Sequence, residues 1–194
     1  MRIYLKLIPH HLFMNFQFYI EKLKSSANFK KFSKDKENKG AFLCSCFFVI
    51  DREDISSKRG QSKENGAGNK QHFDFYVPSS KKAFSFVLEN NAEIVEIERK
   101  TDEEPSRVSI EQDFDFNDIE EAIEKRMRDE GIDKKIQKML FSFQNLEGKD
   151  VFVTTVFIAS LGLVNLILDA KTLQISNFKK RNLLDMMNIF KKDK

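Results

Sequence analysis

Between Val151 and Leu168 the chain runs for eighteen residues without a charge, VFVTTVFIASLGLVNLIL, before reaching Asp169. A run of that length is close to the minimum for a helix that crosses a bilayer, so its reading decides the class of fold. Val, Ile, Thr and Phe dominate it, and these side chains favour the pleated geometry of a strand. Gly162 stands where a hairpin needs its connection, and Asn165 is a poor fit to hydrocarbon. No Trp borders the run, and both signs of charge sit at each end, Lys149 with Asp150 before it and Asp169 with Lys171 after it. The run is therefore expected to be two core strands folded back at Gly162, with no transmembrane span.

The rest of the chain can be read around that hairpin. Phe16, Ile20, Leu23 and Ala27 recur at helical spacing from Asn15 onward. A strand follows from Phe42 to Ile50, apolar on much of both faces. Phe73, Phe75 and Val77 then alternate, as do Phe84, Phe86 and Leu88, with Ile94 to Ile97 as an edge strand. Beyond a charged link containing Pro105, Asn117 and Glu120 have capping-box spacing and open a second helix. Its inward stripe is Ile119, Ala122, Ile123 and Met127, and Gly131 stops it. Three more strand-like runs complete the pattern.

The expected fold class is thus α+β: two tandem αβββ units, each an antiparallel sheet packed on one helix, plus a C-terminal amphipathic helix. The expected boundaries are an N-terminal extension over 1–14, a first αβββ unit over 15–99 and a link over 100–112. A second αβββ unit over 113–176 and a basic amphipathic tail over 177–194 follow. Residues 51–71 hold many charges, three glycines and one aliphatic side chain, the composition of a mobile loop. In the tail, Leu183, Met186, Met187 and Phe190 share a helical face.

Composition narrows the function classes. Twenty Phe against three Tyr and no Trp point to burial more than display. Thirty-three bases against 30 acids leave a net charge of +3, too even to create a nucleic-acid field by itself. MRIYLKLIPHHLFMNF makes a poor secretory signal, and Cys44 and Cys46 are read as free thiols, so a cytoplasmic setting is expected.

Chemistry-bearing motifs are few, and the expected set of catalytic, cofactor-binding and metal-ligating residues is empty. Asp113, Asp115, Asn117 and Glu124 take the ligand spacing of a calcium loop, but Asp118 stands where the loop needs Gly for its sharp turn. Cys44 or Cys46 could be paired with His72 for hydrolysis, but Phe neighbours would desolvate the thiol and raise its pKa. The GAG at 66–68 lacks the Gly-Lys-Ser/Thr ending of a phosphate loop. Lysines gather over 22–36 and again over 179–194, interleaved with Phe29, Phe32, Phe178 and Phe190. Candidate partner contacts are Lys30, Lys31, Lys179, Lys180, Arg181 and Phe190.

The order helix, strand, strand, strand ending in LILDAKTLQI resembles the PepSY-like domains and, more loosely, the cystatin-like helix-on-sheet folds. Asp169, Ala170, Lys171 and Thr172 match the family turn Asp-Ala-Lys-Thr-Gly-Glu, while Leu173 replaces Gly and Gln174 replaces Glu. The resemblance covers about 117–176. The physical content of the turn is that Asp and Thr side chains hydrogen-bond nearby backbone amides. The resemblance implies peptidase inhibitors, propeptide modules or envelope-associated binding domains, and carries over no catalytic residue. The expected function is a non-enzymatic binding module that recognises a protein or peptide through a sheet face or edge, a role compatible with homo-oligomers. The alternative is a basic nucleic-acid-associated protein using segments 22–36 and 179–194.

Overall fold

In the computed structural model the described residues are 15–52 and 69–182. Helices α1 (Phe16–Ser25) and α2 (Ala27–Lys34) precede four strands, β1 (Phe42–Asp51), β2 (Lys70–Val77), β3 (Lys82–Val87) and β4 (Glu93–Ile97). Helix α3 (Phe116–Asp129) precedes four more, β5 (Ile136–Leu146), β6 (Lys149–Ile158), β7 (Gly162–Asp169) and β8 (Ile175–Asn182). All eight form one antiparallel sheet in the order β4-β3-β2-β1-β5-β6-β7-β8. Each half is a meander whose first strand is innermost, and the halves join where β1 pairs with β5.

This corrects the expected αβββ units in two respects. Each half has four strands where three were counted, in the first because the edge strand expected at Ile94–Ile97 stands as β4 in its own right, and the two sheets are one. Residues 177–182, assigned to a basic amphipathic tail, belong to β8. Edge strand β8 is largely exposed and polar, so it lacks the apolar alternation by which inner strands are recognised. Loop 51–71 is shorter at both ends, because β1 runs through Asp51 and β2 begins at Lys70. The Gly66-Ala67-Gly68 stretch and residues 183–194, with Phe190 and the expected C-terminal helix, lie outside the described residues.

The uncharged run is a hairpin. Residues 151–158 lie in β6 and 162–168 in β7, paired throughout. The turn is made by 159–161, where Ser160 and Leu161 hold positive φ of 69° and 59°. Gly162 is the first strand residue and serves a different purpose from a bend: a Cβ there would sit 2.6 Å from Ile158 Cγ1. Among the described residues no helix is long and apolar enough to cross a membrane.

Helix starts are set by short polar side chains. The Asn15 carboxamide accepts from the Gln17 amide at 2.6 Å, and Asp115 accepts from the Asn117 amide at 2.7 Å. Asp115 is thus the N-cap of α3, in place of the expected Asn117. Glu120 makes no capping box; it takes a bidentate ion pair from Arg52, at the end of β1.

The two helix starts meet. Asn15 and Asp115 form an antiparallel bridge, and the Phe16 amide donates to the Phe114 carbonyl at 3.1 Å. Phe16 packs on Phe114 at 4.6 Å and on Phe143 of β5 at 5.6 Å, while Phe116 packs on Phe48 of β1 at 4.7 Å. Each helix therefore sends its leading ring onto the inner strand of the other half. The result is one Phe-rich core between the helices and one face of the sheet.

Candidate functional site

Strand alternation sends every second side chain to the face away from the helices. The register ties these residues into rows that cross the sheet. One row runs Val87, His72, Phe47, Ser142, Val153, Ile167. The next runs Lys70, Val49, Leu140, Thr155, Asn165, Lys179, and a third Asp51, Lys138, Phe157, Leu163, Arg181. The middle of the face is apolar, with Phe47, Leu140, Val153, Phe157 and Ile167 half-buried. Two polar pairs close on themselves within the face: Thr155 donates to Asn165 Oδ1 at 2.9 Å, and Lys138 meets Asp51 at 2.8 Å. His72 contacts Glu89 at 3.0 Å.

No described helix packs on this face. One end is crossed by the link between β4 and α3. Arg99 lies over the Tyr76 ring at 4.8 Å and Arg107 over Phe42 at 4.4 Å. The Val108 amide then donates to the Leu43 carbonyl at 2.9 Å, beside an irregularity where β1 slips register between Leu43 and Ser45. That link turns Tyr76 and Phe42 into buried rings and leaves the half-buried centre of the face clear of it.

The cysteines occupy this irregular stretch. Both are free thiols. Cys46 points into the helix-covered core, and burial pushes its pKa well above the ordinary thiol value. Cys44 donates to the Asp74 carbonyl at 3.2 Å; burial, then the Asp74 charge, push it up to about 11. Both stay protonated at neutral pH, the wrong state for a nucleophile. The residues spaced like a calcium loop do not converge. Asp115 caps α3, Asp113 accepts from Asn15 at 2.6 Å, and Glu124 pairs with Arg128.

The basic candidates are placed far apart. Lys30 and Lys31 are exposed on α2, whose Phe29 and Phe32 pack over β2 and β3. Lys179, Lys180 and Arg181 are exposed on β8, at the other end of the sheet order. Six strand spacings separate β3 from β8 in that order, roughly 30 Å. The two segments do not merge into one groove. Lys179 and Arg181 border the apolar face, and Lys180 shares the helix-covered side with Val164.

The Asp169–Thr172 turn connects β7 to β8. Asp169 Oδ1 accepts from the Lys171 amide at 3.0 Å, the Thr172 amide at 2.8 Å and the Thr172 hydroxyl at 2.9 Å. Leu173 occupies the left-handed region at φ 56°, a conformation that favours Gly. What sequence reasoning missed is the breadth of the apolar face, because it assigned each half a sheet of its own. The register between β1 and β5 is what makes the face continuous. No family model, curated protein or solved structure matches the chain.

Proposed function

We propose that the protein is a non-enzymatic binding module that docks another protein or peptide on the helix-free face of its sheet. The observation that carries this reading is the half-buried apolar centre spread over β1, β5, β6 and β7, which no described helix covers. Contiguous apolar surface rimmed by polar groups is the usual anatomy of a contact surface. The high pKa of Cys44 supports a role without a covalent step. The half from Phe116 to Asn182 is proposed as a cystatin-like, PepSY-like unit. In its favour, one helix precedes an antiparallel meander, and the Asp169–Thr172 turn closes its last hairpin.

The test is a photo-crosslinking residue placed at Leu140 or Phe157 in the native host, with exposed Phe18 of α1 as the reference position. Protein adducts at the sheet positions and none at Phe18 are expected. An absence of adducts at both sheet positions overturns the reading.

A further inference from the structure

We propose that the occupant of the helix-free face is a second copy of this chain, two sheets stacking about a twofold axis parallel to the strands; the inference rests on the docking reading above. Three features of the face point to self-association. The first is size. Rows of five or six side chains, about 4.8 Å apart across the sheet and about 7 Å apart along the strands, offer roughly 600 Å², the lower end of the roughly 600–1,000 Å² per partner of a standard stable interface. The second is composition: Phe47, Leu140, Val153, Phe157 and Ile167 form an apolar patch, the Asp51–Lys138 ion pair neutralises itself at one end of the central strands, and Glu93, Lys179 and Arg181 lie on the two edge strands.

The third feature is the sign of those charges. On this face β4 presents Glu93, and β8, at the opposite edge, presents Lys179 and Arg181. A twofold axis parallel to the strands lays β8 of one copy over β4 of the other, and does so twice. At each end of the stack Glu93 of one copy then lies one row, about 7 Å along the strand, from Lys179 of the other, within reach of the long lysine side chain. A partner surface of one sign would be repelled at one edge, so the pattern is self-complementary. Stacking of this kind closes at two copies and leaves both strand edges free.

Sedimentation velocity of the full chain from about 0.1 to about 100 µM tests this, a span that covers the weak end of the affinities reached by interfaces of this size. A dimer is expected, and Leu140→Glu is expected to make it monomeric with an unchanged circular-dichroism spectrum. Glu93→Lys and Lys179→Glu each break two symmetry-related contacts and are expected to raise the dimer Kd about tenfold at low salt. The double charge swap is expected to return Kd to within about threefold of wild type. Because both swapped residues are exposed, this arm stands even if Leu140→Glu does not fold. A monomer across the whole range overturns the proposal, as does a dimer indifferent to Leu140→Glu or to the charge swaps. A monomer that still crosslinks through Leu140 to a different protein sinks self-association alone and leaves the docking reading in place. A chain that neither dimerises nor crosslinks sinks both.

Discussion

Thr154 is enclosed on the helix-covered side of β6, and its hydroxyl has no hydrogen-bond partner among the described residues. A hydroxyl stripped of water and left unmatched is unfavourable by about 1–3 kcal/mol. Thr154→Val keeps the shape and removes the hydroxyl, so the unfolding free energy in a urea titration is expected to rise by about 1 kcal/mol. Asp169 is the opposite case, a carboxylate one of whose oxygens accepts three hydrogen bonds. The Thr172 amide and hydroxyl, with help from Lys171, hold its pKa below the ordinary carboxylate value. A depressed folded-state pKa contributes stability that is complete above the unfolded value and is lost as pH falls through the folded one. The stability gap between wild type and Asp169→Asn is therefore expected to hold steady down to about pH 5 and to shrink below about pH 4. That turn was legible because its hydrogen bonds are local. Glu120 was not: its sequence spacing from Asn117 pointed to a cap, while its partner Arg52 is distant in the chain.

At the level of elements, the Arg52–Glu120 pair ties the end of β1 to α3, and both side chains are mostly shielded from water. Glu120→Gln removes the hydrogen-bonded counter-charge and leaves the guanidinium only the charge of Glu124, and a loss of about 1–3 kcal/mol is expected by denaturant titration. The inner strands and helices α1 and α3 were readable because burial on one side imposes a period on the sequence, whereas the eight residues of α2 bury only Phe32 and are too few to show one. The hairpin at 159–161 was located within a residue or two, although Gly162 is there for cross-strand clearance above Ile158. β8 escaped because an edge strand needs little apolar surface, and KKR reads as a solvated tail. The slip in β1 at Leu43–Ser45 has no local signal either. It depends on β2 lying alongside and on Val108 taking the Leu43 carbonyl.

Across the whole molecule, the leading rings of α1 and α3 merge the halves into one core. Phe16 touches Phe48, Phe73, Phe114 and Phe143 and is fully buried. Phe16→Ala is expected to destabilise by about 3–5 kcal/mol while unfolding remains a single transition by circular dichroism and fluorescence. Two separable units would instead give two transitions. The sequence showed two helix-led halves, since each has its own periodicity, but the seam between them rests on pairing over a long stretch of chain. The candidate site inherits the same blindness: its rows exist only once β1 and β5 are neighbours. That seam also shapes how the protein assembles. Every other strand pairing joins consecutive strands, whereas Phe48 must find Phe141 across the entire intervening chain. Local hairpins zip quickly and the distant closure comes late, so the speed of folding is set by the β1–β5 encounter, and until it happens both inner strands stand as open, adhesive edges.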